Sequence, residues 1–253
     1  MSKLSGIGKL SLTQKMCLAG LFTALATILQ KVLAINYLAG LPFFRISFGA
    51  PAIIVFASIF LGPLWGAAVG AFSDILGYFA FDASGYAFMP LITLIYLVLG
   101  LVGFFVYKLI DKIKSDKLIF IIEIAFLAIT FVGVSCYLIF AYPGAKLLEK
   151  ILIPVGLFIL LTLLVIFQFF AHKEDSKFHA PIKISFTYFL LDLVVLVLFG
   201  SLMKAFSFST DSGSFWSLYK TILITQGFVM IFNVVFKTIL LATFFRLTKK
   251  YME

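Results

Sequence analysis

The feature that most narrows the fold is a succession of long apolar runs. Eight of them follow one another between Leu12 and Leu247, split by short polar or Gly/Pro-containing breaks. They cover Leu12–Ile35, Phe44–Leu61, Pro63–Phe81, Tyr86–Ile110, Leu118–Ala141, Ile151–Ala171, Ile184–Phe206 and Phe215–Leu247, here segments A to H. A helix needs about 20 mostly apolar residues to cross a bilayer. The in–out alternation of membrane barrel strands is missing from these runs. A soluble fold is ruled out by composition: 63% of residues are hydrophobic, only 12% are charged, and mean hydropathy is +1.16, whereas soluble domains carry about 25% charged residues. A bilayer leaves the backbone no polar partner outside helices and closed barrels. The expectation is therefore an all-α polytopic membrane protein, a single integral membrane domain over residues 1–253 with about eight spans.

Breakers mark the joints. Gly40 and Pro42 separate A from B, Gly62 and Pro63 make a short B–C turn, and Asp82, Ser84 and Gly85 open the C–D loop. Polar linkers lie at residues 108–117, 172–183 and 209–214. Segment B is expected to be short and irregular. Segment H, at 33 residues, is about 50 Å long as a helix, against a hydrocarbon core of about 30 Å. It must tilt, bend near Gly227 or project from the membrane.

Charge sets the orientation. With both termini inside, the amino-terminal region, the D–E and F–G linkers and the tail hold thirteen of the 20 basic residues. The outer side receives Lys31, Arg45, Lys146, Lys150, Lys204 and Lys220, and Lys237 falls inside H. The excess of Lys and Arg belongs on the cytoplasmic side. The net charge of +9 is scattered over segment ends rather than gathered on a nucleic-acid-reading element. Cys17 and Cys136 stand alone in apolar runs, and His172 and His179 share one polar linker without a zinc-binding carboxylate pattern. No metal or other cofactor is expected. The apolar run after the basic amino terminus lacks a small-x-small cleavage site and reads as a retained helix rather than a signal peptide.

A few residues carry more information. Gly62, Gly66, Gly70 and Asp74 recur every four positions in C, on one helical stripe. Glycines so placed let another backbone approach, or leave room for a ligand. An acid inside a span costs about 2.5–3.5 kcal/mol on insertion scales, so Asp74 calls for a partner joining B and C or for a wet cavity. Asp192, in G, makes the same demand, and Glu123 lies near enough to the inner end of E to reach the interface. On the outer side Arg45, Lys31, Lys204 and Lys220 accompany Tyr37, Trp216 and Tyr219. Such residues form an interfacial belt or a basic, aromatic-lined mouth in which a guanidinium pairs with carboxylates and rings stack on a planar heterocycle. Gly20 and Ala24 make a small-xxx-small pair in A, the kind that mediates helix association in lipid.

The stretch RISFGAPAIIVFASIFLGPLWGAAVGAFSDILGY, Arg45–Tyr78, resembles the substrate-binding S components of energy-coupling factor (ECF) transporters, in particular the folate family. The Arg-Ile-Ser-Phe start, Pro51, the Gly-Pro-x-x-Gly turn at 62–66 and the Ser-Asp-x-Leu-Gly-Tyr end at 73–78 carry the likeness. It covers residues 12–111, segments A to D, and weakens beyond them. It implies a six-helix core, so that residues 115–180 read as an inserted two-helix hairpin and residues 184–247 as the last two core helices. Asp192 falls where the family often has Asn.

The resemblance further implies a protein without enzymatic activity or cofactor. Such a subunit captures a vitamin on the extracellular side, in a pocket built from the A–B, C–D and G–H loops and the outer helix ends. It hands the ligand to a transmembrane coupling subunit and two ATP-binding subunits. The absence of a Walker A pattern in this chain is in keeping with that division of labour. Folate, with two carboxylates and a pterin ring, suits Arg45, Lys31, Tyr37, Asp74, Tyr78, Lys204, Trp216, Tyr219 and Lys220. Gly20 and Ala24 match the position of the family's contact with the coupling subunit. The expected location is the bacterial plasma membrane. Another vitamin such as pantothenate, a stand-alone membrane carrier or scaffold, and an intramembrane enzyme using Asp74 and Asp192 are the competing readings. The last lacks the short motifs around its aspartates that such proteases show.

Overall fold

A computed structural model describes residues 10–31, 34–35, 46–47, 49–81, 88–141, 147–174, 180–209 and 212–252. Its helices are α1 (Leu12–Lys31), α2 (Ala50–Leu61), α3 (Pro63–Phe81), α4 (Pro90–Asp111), α5 (Asp116–Cys136), α6 (Leu147–Glu174), α7 (Ala180–Leu191), α8 (Gly200–Phe208) and α9 (Ser212–Met252). A π-helical turn at Tyr137–Ala141 continues α5, and a longer π segment, Asp192–Phe199, joins α7 to α8 in one rod. Among the described residues, seven helical stretches are long and apolar enough to cross a membrane. The protein is an all-α polytopic membrane protein, and each apolar run of the sequence contains a helix.

The exception in length is α2. Its 12 residues reach about 18 Å, too short to span, and all twelve are buried. A half-length helix is tolerated inside a bilayer only where protein rather than lipid surrounds it. Here α1, α3, α4 and α9 enclose it. Segment B therefore starts six residues later than its composition suggests. The chain before α2 instead forms a two-residue antiparallel bridge with the chain after α1, pairing Ala34 with Ser47 and Ile35 with Ile46. Glycines with positive φ bound α2: Gly49 (φ 151°) before it and Gly62 (φ 107°) after it. Pro63 then opens α3.

Helices α1 to α4 pack on one another; α7, α8 and α9 close against α2 and α4. The α5–α6 hairpin packs on α7 and α9, meeting α9 in a small cluster of Val134, Leu138, Leu157, Phe228, Val229 and Ile231. The α3–α4 crossing is the closest. A Cβ placed on Gly66 would lie 2.5 Å from Ser58 Cα and 2.7 Å from the Gly100 carbonyl oxygen, and one on Gly100 would meet the Gly66 carbonyl. The glycine stripe in C is thus a packing seam, completed by Gly100 and Gly103 of α4. Ser58 of α2 fills the corner, its Oγ accepting from the Phe104 N–H at 2.9 Å. Apolar side chains such as Leu64, Phe79, Ile129 and Phe140 point outward, which suits lipid and not water.

Segment H forms one uninterrupted 41-residue helix, about 60 Å long. At its middle Gly227 lies against Val134 of α5.

Candidate functional site

Among the described residues, three polar centres built on the buried acids Asp74, Asp192 and Glu123 interrupt the apolar interior. The first joins the ends of α1, α3 and α4. Asp74 Oδ1 accepts from Gln30 Nε2 at 3.1 Å, and Oδ2 accepts from the Thr93 hydroxyl at 2.6 Å. Asp74 thus ties α3 to α1 and α4, not B to C as its position suggested. Thr27 adds a second tie, donating to the Ser73 carbonyl at 3.2 Å. Next to this centre the stem of Lys31 crosses Gly77, where a Cβ would sit 3.0 Å from the lysine Cγ and Cε. Glycine at 77 is what lets the basic side chain lie flat on α3. One residue on, Tyr78 packs edge-on to Phe79 and tilted on Phe88, both at 5.2 Å.

The second lies deep in the α7–α9 half. Asp192, the first residue of the π segment, is 0% exposed; its Oδ1 accepts from Tyr188 (3.2 Å) and Asn233 (3.1 Å). Asn233 Oδ1 in turn accepts from Lys237 Nζ at 2.6 Å, and that ammonium sits 5.8 Å over the Tyr188 ring. Lys204 of α8 is close enough for its charge to act on both Asp192 and Lys237. π-Helical turns open the backbone ladder locally and are frequent at functional sites.

The third links the hairpin to the rest of the bundle. Glu123 is fully buried rather than at the interface. Its Oε1 accepts from the Ser185 hydroxyl at 2.5 Å and its Oε2 from Gln168 Nε2 at 3.3 Å. The correction has a physical cause: Glu123 faces α6, α7 and α9, all of which supply polar groups.

Of the residues singled out from the sequence, Lys31, Asp74 and Tyr78 come together at one end of α1, α3 and α4. Lys204 stands on α8. Phe206, Phe215, Trp216 and Tyr219 form an aromatic group at the α8–α9 junction, with Phe206 and Phe215 centroids 4.7 Å apart and Phe215 and Tyr219 stacked at 6.3 Å. Trp216 and Lys220 are exposed, as a pocket rim and an interfacial belt alike require. Helix α4 packs against both α3 and α8 and so runs between the two groups. Tyr37 and Arg45 lie outside the described residues. Gly20 and Ala24 sit on the exposed face of α1, and nothing lies within 4 Å of a Cβ at Gly20.

Gln30, Thr93, Tyr188, Gln168, Ser185, Asn233 and Thr238 were not singled out from the sequence. The one available signal was a polar residue inside an apolar run, a demand for a partner without its address. Compared with protein-family models, with curated proteins and with solved structures, the chain finds a match in none of the three.

Proposed function

We infer that this chain is the substrate-capturing S component of an ECF-type vitamin importer in the bacterial plasma membrane, with both termini cytoplasmic and folate as its ligand. The observation that carries the reading is the meeting of Lys31, Asp74 and Tyr78 at one end of α1, α3 and α4. By helix direction this is the end shared with Lys204, Trp216 and Tyr219, the outer one in the charge-derived topology. A cation and aromatic faces at one mouth suit a carboxylated heterocycle. Two further features support the reading. The small-residue face of α1 lies open for a helix of a transmembrane coupling subunit. The α5–α6 hairpin attaches to α7 and α9, so that α1–α4 and α7–α9 form a body to which the hairpin was added. Two ATP-binding subunits acting through the coupling subunit supply the energy.

The test is direct. The purified chain binds labelled folate, in preference to pantothenate and riboflavin, and co-purifies with a coupling subunit and ATP-binding subunits. Binding of pantothenate alone moves the assignment to another vitamin. Solitary behaviour with ATP-independent uptake supports a stand-alone carrier. That second reading is favoured by the ionisable residues Glu123, Asp192 and Lys237 buried within spans, where such groups often mark ion pathways.

A further inference from the structure

The centre around Glu123 collects oxygen atoms from α5, α7 and α9 and a side-chain amide from α6. Glu123 on α5 offers both carboxylate oxygens, and Ser185 on α7 approaches one of them at 2.5 Å. Thr238 Oγ1 on α9 lies 3.2 Å from the same serine oxygen. Gln168 on α6 places its amide in the middle, with Nε2 at 2.7 Å from Ser185 Oγ and 3.3 Å from Glu123 Oε2. These side chains are at most 1% exposed. The Gln168 Oε1 atom is buried and has no hydrogen-bond partner, an expensive state for a polar atom away from water.

No basic side chain hydrogen-bonds to Glu123 among the described residues. The two lysines adjacent to its partners in sequence are engaged elsewhere. Lys183 Nζ donates to the Asp111 carbonyl at 2.9 Å and lies 3.9 Å from the Asp111 carboxylate. Lys237 donates to Asn233. A lone carboxylate enclosed by protein within lipid requires one compensating positive charge.

A proton neutralises Glu123 but serves a single oxygen pair. A hard cation serves all of the oxygens at once. A half-turn of the Gln168 side chain exchanges its amide oxygen and nitrogen; cation binding would turn Oε1 toward Glu123 and Ser185 in place of the Nε2 that faces them here. One carboxylate with neutral oxygens balances one unit of charge, which selects a monovalent ion over calcium or magnesium. We propose that Glu123, Gln168, Ser185 and Thr238 form a binding site for one sodium ion, held between α5, α6, α7 and α9. Occupancy fastens the α5–α6 hairpin to the bundle. The site is independent of the vitamin reading, and either assignment can fail while the other stands.

The experiment uses the full chain purified in detergent, unfolded thermally in NaCl, KCl or choline chloride at equal ionic strength, between about pH 6 and pH 8. In about 100 mM NaCl, Tm rises above its choline value by about 4 °C or more, saturably, through ligand linkage. Radiolabelled sodium binds to the wild type. Glu123→Gln abolishes both effects. Equal Tm in sodium and choline, or a Tm that follows pH but ignores sodium, overturns the proposal, the latter assigning a proton to Glu123. If Glu123→Gln does not fold, Thr238→Val keeps the carboxylate and removes one oxygen. It then raises the half-saturating sodium concentration by about tenfold or more, as expected when a ligand oxygen is lost, and an unchanged value overturns the site.

Discussion

Lys237 and Asp192 are joined through Asn233, whose amide donates to Asp192 Oδ1 at 3.1 Å and whose carbonyl oxygen accepts from Lys237 Nζ at 2.6 Å. The two charged residues are 2% and 0% exposed. Neither charge is affordable alone at that depth, and the asparagine lets them compensate one another across the gap between the π segment and α9. Tyr188 serves both ends, its hydroxyl bonded to Asp192 and its ring beneath the ammonium.

Removing either charge should therefore cost more than removing both. Lys237→Met or Asp192→Asn is expected to destabilise the protein by about 3–5 kcal/mol, the cost of stranding one member of a buried pair. The double variant should recover a large part of that loss. Unfolding of the four proteins in detergent measures the coupling, and strictly additive losses would show that the two residues do not compensate each other.

Glycines of similar sequence surroundings should respond in opposite ways. Gly100→Ala drives a Cβ onto the Gly66 carbonyl, backbone that cannot swing aside, and should cost about 1–3 kcal/mol or more through overpacking. Gly133 and Gly156 have nothing within 4 Å of a Cβ. Alanine there should be neutral or stabilising by up to about 1 kcal/mol, since glycine weakens a helix interior. A tolerated Gly100→Ala would mean that α3 and α4 cross further apart than described.

Which parts of this fold were legible follows from how local their causes are. Apolar length alone makes a helix in lipid, so the long runs became helices with ends shifted by a few residues. Pro90 starts α4, and Ser115 caps α5 by accepting from the Leu118 N–H. Segment B is short, as its sequence suggested, but where α2 begins was not legible, because residues 44–49 are nearly as apolar as those after them. The backbone conformation at Gly49, Pro51 in the first turn and the bridge between Ile35 and Ile46 mark where that helix begins. The π segment leaves no mark in an unbroken run of Leu and Val. The demand of Asp74, Asp192 and Glu123 for partners could be read from each residue singly. The partners could not, since Gln168 and Ser185 stand 45 and 62 residues away from Glu123, and only the packing of the helices brings them together.

If the chain binds folate as proposed, Arg45→Ala should weaken that binding by about tenfold to a hundredfold, the worth of hydrogen bonds to a charged group. Asp74→Asn should behave differently. Both carboxylate oxygens accept hydrogen bonds from protein donors. An amide can keep the Gln30 bond and turn its nitrogen to the Thr93 hydroxyl, which then accepts. Only the extra strength of bonds to a charged group is lost, so stability should fall by about 1–2 kcal/mol. Binding titrations and thermal unfolding on the same samples separate the two effects. Unchanged affinity in Arg45→Ala would remove that residue from the site.

The exposed face of α1 supplies the sharpest test of partnership. Gly20 and Ala24 are open while Ala19, Phe22, Thr23 and Ala26 are buried, so bulk added on the open face should leave the isolated chain intact, within about 0.5 kcal/mol. If a coupling subunit packs a helix there, Gly20→Leu and Ala24→Leu should retain vitamin binding yet abolish ATP-driven uptake, because small residues are what permit close helix contact in lipid. Substitution of the equally exposed Ile28 by Leu should change neither. Full uptake by Gly20→Leu and Ala24→Leu in cells carrying the coupling module would place the partner elsewhere. Loss of binding in the detergent-purified variants would show that this face supports the pocket itself.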